Sequence, residues 1–350
     1  SGAPSHDIAF ESDKTLQWFH PADDPDVAYG FCATRGSSLL RRLVDALDGH
    51  WSVQAGGFDD EQRGTVGSMT WELVIDGIDF GEGPRWHDGK FWFSDFYQQT
   101  ISTVGADGVR NVEVEYNGRP SGLDWLPDGR LVFVSMVDRK LMRVESDGSV
   151  VEHADLGGVA NGHCNDIVMD IAGNAYVGNF GFDMEAGDEF AMASLALVRA
   201  DGSVEVAATD LMFPNGSVIV DHGKTLIVGE SFGGQYTAWD INDDATLANR
   251  RIWATAEGTA PDGCTIDADG GIWYSDALGK QVVRVLEGGE ITHQLATEDN
   301  TYACMLGGDD GNRLFTLTCE DSHPSAAAGT ATGKLWVATV DVARNSTDRP

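Results

Sequence analysis

The chain has 350 residues, 23 of them lysine or arginine against 56 aspartate or glutamate, giving a formal net charge of −33. So acidic a surface repels nucleic acid and anionic membranes, which removes both as partners, and no stretch approaches the ~18 uninterrupted apolar residues of a membrane span. Five cysteines, Cys32, Cys164, Cys264, Cys304 and Cys319, form an odd set without a framework spacing, so the expectation is reduced thiols in a soluble cytoplasmic protein with no secretory leader.

Residues 1–70 follow no fixed period, and their first few, SGAP, read as a cloning remnant. Ser38 to Leu47 (SLLRRLVDAL) suits either a short helix or a pair of strands. The stretches LQWFH, FCATRGSSLL and WSVQAGGFDD follow in order, and over about residues 7–64 they resemble the C-terminal third of the glutathione-dependent formaldehyde-activating family, a zinc-binding β-fold. That resemblance implies a Cys-x-x-Cys in the second stretch, yet Cys32 is followed at the matching position by Arg35 and the upstream cysteines are absent. A tetrahedral zinc site cannot be assembled from what remains. The expectation is a non-catalytic appendage that packs on the rest of the chain or mediates a homo-oligomer.

From Trp71 a period takes over. HDGKFWFSD, PDGRLVFVS, IAGNAYVGN, DHGKTLIVGE, ADGGIWYSD and DDGNRLFTL each place a turn glycine before a short apolar run, at Gly89, Gly129, Gly173, Gly223, Gly270 and Gly311. A second series lies between them: ADG at 106–108, SDG at 146–148, ADG at 200–202, NDD at 242–244, EGG at 287–289 and TGK at 332–334. Two hairpin signals per repeat specify four strands. The runs are rich in β-branched and aromatic residues and carry no helical periodicity. A fixed period of this size predicts radially repeated sheets, here an all-β, six-bladed β-propeller over residues 71–345 with a small N-terminal extension (1–70) and a tail (346–350). A β-sandwich does not predict a strict period.

Each main turn is preceded by a segment in constant phase: GEGP with Glu82, PSGL with Ser121, CNDI with Asn165, PNGS with Asn215, PDGC with Asp262 and YACM with Cys304. If this phase opens the innermost strand, Glu82, Asn165, Asn215 and Asp262 converge on the central channel. Two carboxylates and two carboxamides form a hard-oxygen set suited to Ca²⁺, with Mg²⁺ or Mn²⁺ (or Zn²⁺) as substitutes and water completing the shell. Any one of these dipeptides alone is an ordinary turn former. Four in one phase point to a site.

GEGPRW (81–86), CNDIVMD (164–170), FPNG (213–216), APDG (260–263) and ACMLGG (303–308), taken as an ordered set, closely resemble the SMP-30/gluconolactonase/luciferin-regenerating-enzyme (regucalcin-like) family. The resemblance implies a six-bladed propeller with one catalytic divalent metal in its channel, hydrolysing lactones or, in related members, organophosphorus esters. It implies Glu82 and Asn215 as metal ligands, Asp262 as ligand and base, and Asn165 as a ligand or a substrate contact. Such a metal polarises an ester carbonyl and stabilises the oxyanion while Asp262 takes a proton from water. A metal-bound aspartate is a weakened base, so nucleophilic attack by Asp262 stays open as the alternative.

Around this set, His163 suits substrate contact or proton transfer, or a bond to a neighbouring carbonyl. Ser121 reads as channel lining, and Arg119 as either a contact for an anionic product or a structural residue. Asp124, Asp170, Asp221 and Asp267 read as turn caps. Met184, Met212, Phe213 and Trp125 suit the substrate entrance or packing between sheets, and the long stretch Phe180 to Ala193 suits a lid or specificity loop. The function expected is a metal-dependent lactonase acting on a small lactone or ester. Phosphotriester or aryl-ester hydrolysis at the same site and a non-enzymatic, metal-stabilised binding propeller are the alternatives. Only six lysines accompany the 56 acidic residues, which reads either as a solvated acidic surface or as adaptation to high salt.

Overall fold

The computed structural model describes residues 69–345 and, nearer the N-terminus, a two-stranded antiparallel pair, β1 (Leu16–Phe19) and β2 (Tyr29–Cys32). In that pair Leu16 is in register with Cys32 and Phe19 with Tyr29. The formaldehyde-activating resemblance, the zinc-site reading and the segment Ser38 to Leu47 otherwise lie outside the described residues, as does the tail.

The rest is an all-β propeller of six four-stranded sheets. Strand β3 (Glu72–Ile78) comes first. Blade 1 follows with β4 (Gly81–His87), β5 (Lys90–Asp95), β6 (Thr100–Val104) and β7 (Arg110–Glu115). Blade 2 holds β8 (Pro120–Trp125), β9 (Leu131–Ser135), β10 (Lys140–Val144) and β11 (Val150–Asp155). Blade 3 holds β12 (Cys164–Met169), β13 (Ala175–Asn179), β14 (Ala193–Val198) and β15 (Val204–Leu211). Blade 4 holds β16 (Pro214–Val220), β17 (Thr225–Glu230), β18 (Gln235–Ile241) and β19 (Leu247–Thr255). Blade 5 holds β20 (Pro261–Ile266), β21 (Ile272–Asp276), β22 (Gln281–Val285) and β23 (Ile291–Ala296). Blade 6 holds β24 (Asn300–Gly307), β25 (Arg313–Cys319) and, after the short helix α1 (Pro324–Ala327), β26 (Gly333–Thr339).

The glycine period has its expected cause. Gly89, Gly129, Gly173, Gly223, Gly270 and Gly311 all adopt positive φ between the first and second strands of their blades, a conformation that costs glycine nothing. In the second series the aspartates brace the turn with their own side chains: Asp107 Oδ1 accepts Val109 N at 3.1 Å and Asp147 Oδ1 accepts Ser149 N at 2.9 Å. The sixth member of that series is out of phase. TGK opens the third strand of blade 6 instead of joining the third to the fourth, because the fourth strand is supplied by β3 from the start of the propeller, pairing Leu73 with Trp336 and Ile78 with Gly333. This exchange ties the two ends of the ring together and covers an otherwise open sheet edge.

Burial follows radius. All six residues of the inner strand β12 are buried, whereas the outer strand β7 (RNVEVE) is mostly exposed and charged. Six apolar clusters fill the six interfaces between neighbouring blades. Val134, Leu141, Ile167 and Val177 lie between blades 2 and 3, and Val228, Trp239, Tyr176 and Leu197 between blades 3 and 4. A seventh cluster has a different make-up: Phe80 and Phe96 from blade 1, Met136 from blade 2, and Tyr302, Cys319 and Ala327 from blade 6, with Phe180 of blade 3 and Ala277 of blade 5 against them. Members from five blades place it across the end of the channel. Among the described residues no helix is long and apolar enough to cross a membrane.

Candidate active site

Every inner strand carries a register irregularity at its start. In β4 the pairing steps from Glu82–Ser94 to Arg85–Trp92, three residues against two. The same shift lies between Pro120 and Leu123, Cys164 and Ile167, Pro214 and Ser217, and Pro261 and Cys264, with a shorter one between Thr301 and Ala303. An extra residue in one strand breaks alternation and re-aims the side chains beside it. In blades 1 to 5 the phase read from the sequence is the bulge; in blade 6 Cys304 lies beyond it, packed against blade 5 with its Sγ 3.3 Å from Trp273 O, and Tyr302 stands in the bulge instead. The residue after the bulged polar one lies against the next blade: a Cβ on Gly216 would stand 2.3 Å from Asp262 O, and one on Gly83 2.7 Å from Ser121 O. At these two points only glycine fits. Blade 3 places Asp166 at this point instead.

Glu82, Ser121, Asn165, Asn215 and Asp262 are all at most 7% exposed. A hydrogen-bonded chain runs around the channel through blades 2 to 5. Ser121 Oγ donates to Asn165 Oδ1 at 2.8 Å, Asn165 Nδ2 to Asn215 Oδ1 at 3.0 Å, Asn215 Nδ2 to Ser231 Oγ at 3.1 Å, and Ser231 Oγ to Pro261 O at 2.6 Å. Glu82 and Asp262 flank this chain. Glu82 Oε2 accepts the Gly83 amide at 2.9 Å, and Asp262 Oδ1 is buried without a hydrogen-bond partner among the described residues.

Burial pushes both carboxyls well above their ordinary range, that of Glu82 further because Asp262 and Asp166 stand near, that of Asp262 further because Asp166 does. The Gly263 amide and the Asn215 side chain pull Asp262 part of the way back. Arg85 answers some of this charge. It is 5% exposed, sits 3.5 Å from Asp166 Oδ1 through Nη2, donates Nη1 to Pro84 O at 2.8 Å, and donates Nη2 to Ile167 O. Blades 1 and 3 are not neighbours in the ring, so this side chain reaches past blade 2.

The donor set fits a divalent cation. Three carboxylates (Glu82, Asp166, Asp262) against one guanidinium (Arg85) leave a formal −3 + 1 = −2 in a buried space, a balance that favours either proton uptake or a dication. The orphaned Asp262 Oδ1 is an oxygen without another use. Each asparagine Oδ1 accepts a single described hydrogen bond and keeps a second lone pair. Among the described residues no group of three or more His, Cys, Asp or Glu is arranged to hold a metal ion, so a cation here depends on the two amides.

The other expected residues lie at the margin. Arg119 has φ 54°, its guanidinium is 5.4 Å from the Tyr97 ring centroid, and its carbonyl accepts Met136 N at 3.1 Å. The His163 carbonyl accepts Phe180 N at 2.9 Å, and its ring lies 6.0 Å from that of Phe180. Phe213 packs on Phe180 at 4.4 Å and on Phe232 at 5.1 Å. Trp125 is not at this end: at the opposite end of β8 from the bulge, it stacks on His87 at 3.9 Å. Asp170 caps its turn as expected, accepting Ala172 N and Asn174 N at 2.9 and 2.8 Å. Asp267 also caps its turn, accepting Asp269 N and Gly271 N at 3.0 Å each, and holds Arg284 at 2.6 Å; Asp124 joins blades, accepting Met169 N at 2.9 Å. A hollow lined by Asp76, Asp299, Glu320 and Lys334 lies at the sixth sheet, where Lys334 pairs with Asp299 at 3.1 Å; it shares no residue with the channel site.

Two kinds of residue escape a reading of the sequence. Arg85 and Asp166 stand beside the motif residues, but strict alternation directs them to the other face; only the bulge brings them in. The acids ending the second strands form a collar: Asp95 accepts Asp79 N at 3.0 Å, Glu230 accepts Met212 N at 2.8 Å, and Asp276 accepts Ala260 N at 3.0 Å. Their signal was the recurring acid at the end of FSD, VGE and YSD. Each fixes the segment leading into its inner strand.

Residues 80–320 match the family model described as the SMP-30/Gluconolactonase/LRE-like region, so the chain belongs to that family. Pentonolactonase XacC of Haloferax volcanii is 26% identical over 296 residues, covering 81% of this chain and 97% of that enzyme. Diisopropyl-fluorophosphatase of Loligo vulgaris is 27% identical over 168 residues, 44% of this chain and only 54% of that enzyme. Among solved structures, a luciferin-regenerating enzyme superposes with a TM-score of 0.69 at 18% identity, over 79% of this chain and 97% of that one. A calcium-binding regucalcin of Agrobacterium tumefaciens does so with 0.67 at 19%, over 79% and 96%. These likenesses establish the propeller.

Proposed function

We propose that the chain is a divalent-cation-dependent lactonase whose reaction takes place at Asp262. The observation that carries this reading is the buried, unpartnered Asp262 Oδ1 facing a channel that also holds Glu82. Membership of a family that includes a gluconolactonase, and likeness to a pentonolactonase over most of both chains, support lactone as the substrate class.

Glu82, Asn165, Asn215 and Asp262 would hold the cation, Ca²⁺ first, which when bound polarises the lactone carbonyl and stabilises the oxyanion. The chain's own residues then do the rest. The Ser121–Asn165–Asn215–Ser231 chain fixes both amides, so their oxygens need no reorganisation during the reaction. The Gly263 amide and Asn215 hold the Asp262 carboxyl in place. Its free oxygen accepts a proton from an attacking water as the new C–O bond forms; on ring opening the alkoxide leaving group takes a proton and the acid is released. In the alternative, Oδ1 itself attacks the carbonyl, and water then hydrolyses the resulting anhydride. Hydrolysis of phosphotriesters at the same site is the second reading, supported by the partial likeness to diisopropyl-fluorophosphatase.

The test is hydrolysis of a panel of γ- and δ-lactones and paraoxon by protein stripped with EDTA and then given Ca²⁺, Mg²⁺ or Mn²⁺. Cation-dependent ring opening, lost in Asp262→Asn and Glu82→Gln, is expected. Full turnover without metal, or in either variant, contradicts the reading. Turnover of paraoxon alone selects the second.

A further inference from the structure

We propose that the connection between the second and third strands of blade 6, residues 320–332, is a flap that closes the channel mouth and is latched shut by Asp79; this rests on the reading of the channel site given above. Glu82, Asn165, Asn215 and Asp262 are at most 7% exposed, and each is the second residue of its inner strand. The shorter way to them is past the strand starts, because the rest of β4, Gly83 to His87, adds ~17 Å in the other direction. The packed cluster of Phe80, Phe96, Met136, Tyr302, Cys319 and Ala327 lies across that end. For a ligand to reach Asp262, a part of this seal has to move.

Ala327 is the part built to do so. Phe80, Tyr302 and Cys319 stand on strands or on the two-residue link between β3 and β4, and Phe96 and Met136 open tight turns. The second-to-third connections of blades 1, 2, 4 and 5 are residues 96–99, 136–139, 231–234 and 277–280, four residues each, whereas those of blades 3 and 6 run over 180–192 and 320–332, thirteen each. Within 320–332 Ala327 is fully buried and Pro324 half-buried, while every other residue is exposed. The segment is braced internally: His323 Nδ1 accepts Ser325 N at 3.2 Å, and Thr330 Oγ1 donates to Ala327 O at 2.7 Å.

What holds it down is polar and comes from blade 1 and its approach. Asp79 Oδ2 accepts Gly329 N at 2.6 Å, Asp79 Oδ1 accepts Ala331 N at 2.9 Å, and Tyr97 Oη donates to Ser322 O at 2.6 Å. Asp79 is 4% exposed and is itself fixed, its amide donating to Asp95 Oδ2 at 3.0 Å. Ala331 sits at φ 52°, a conformation alanine does not favour alone, and the bond to Asp79 keeps it there. A braced segment with one buried methyl group and a few polar ties opens as a unit when the ties break, at far less cost than any strand of the ring. Its opening withdraws Ala327 from the seal. It also uncovers Cys319, 1% exposed at the root of the flap, whose Sγ donates to Asp79 O at 3.4 Å and lies 3.8 Å from Thr332 Oγ1.

Two measurements on the full chain test this. The first is native-state alkylation by iodoacetamide, followed cysteine by cysteine by peptide mass spectrometry, with the buried Cys164, Cys264 and Cys304 as internal controls. Asp79→Ala should raise the Cys319 rate about tenfold and leave the other three unchanged. So should Gly329→Pro, which removes the bonded amide from the flap and leaves Asp79 in place. A Cys319 rate unchanged in both variants, or raised only together with the other thiols, overturns the proposal. The second is stopped-flow Ca²⁺ uptake by EDTA-stripped protein and Ca²⁺ release to a chelator. A closed flap slows entry and exit alike, so Gly329→Pro should speed both about tenfold and leave Kd within about twofold. Unchanged Ca²⁺ exchange beside a faster Cys319 overturns the gating of the site. A parent protein that binds no Ca²⁺ overturns the cation reading instead, and the alkylation rates then decide the flap.

Discussion

Arg85 Nη2 of blade 1 stands 3.5 Å from Asp166 Oδ1 of blade 3, with both side chains less than a tenth exposed. The pair joins two blades that are not neighbours in the ring, at the level of the bulges. It also brings a positive charge to a place where Asp262 and Asp166 raise the cost of ionising Glu82.

Removing one partner of a buried pair leaves an uncompensated charge, at a cost of about 3–5 kcal/mol. Arg85→Met should therefore lower the unfolding free energy by ~3 kcal/mol, whereas Arg85→Met combined with Asp166→Asn should lose clearly less than the sum of the single losses, since the two act on one interaction. Chemical denaturation of the four proteins of this cycle measures it. Additive losses would show that the pair is not coupled.

Asp95 and Asp276 are pushed up from 3.8 by burial, against several backbone amides that pull them down. A carboxyl raised in the folded state binds more protons there than in the unfolded chain at any pH between the two values, so stability falls as pH rises through that window and grows as pH drops into it. Glu82 and Asp262 act in the same direction. EDTA-stripped protein should melt higher at pH 5.5 than at pH 8, and saturating Ca²⁺ should shrink or reverse the difference by holding the channel carboxylates ionised. A melting temperature of the stripped protein that rises toward pH 8 contradicts this assignment.

With a net charge of −33 the folded chain repels itself, and salt at molar strength reduces the screening length to about 3 Å. Thermal stability should climb steadily from 50 mM to 2 M KCl. A flat or falling melting curve would assign the acidic surface to solubility alone.

Much of this architecture is legible in the residues, and the reasons are local. The six turn glycines mark their hairpins because only glycine adopts their positive φ without cost, and a period of that kind leaves the propeller as the consistent solution. Glu82, Asn165, Asn215 and Asp262 share a phase for a reason the sequence does not state, namely a bulge that recurs in each inner strand. That is why Arg85 and Asp166, one to three positions away, look like residues of the wrong face. Ring closure is hidden too: Leu73 pairs with Trp336, and a contact spanning the whole propeller leaves no mark on either segment. Trp125, open in the sequence between entrance and packing, proves to be packing: it stacks on His87 of the neighbouring blade.

The central claim is that Glu82, Asn165, Asn215 and Asp262 take up one dication. Calorimetric titration of Ca²⁺ into EDTA-stripped protein at pH 7.5 tests it without reference to any substrate. One binding event per chain is predicted, with its affinity reduced at least a hundredfold in Glu82→Gln and in Asp262→Asn while both variants keep the dichroism of the parent. Binding that is absent in the parent, or equal in all three proteins, would contradict the account.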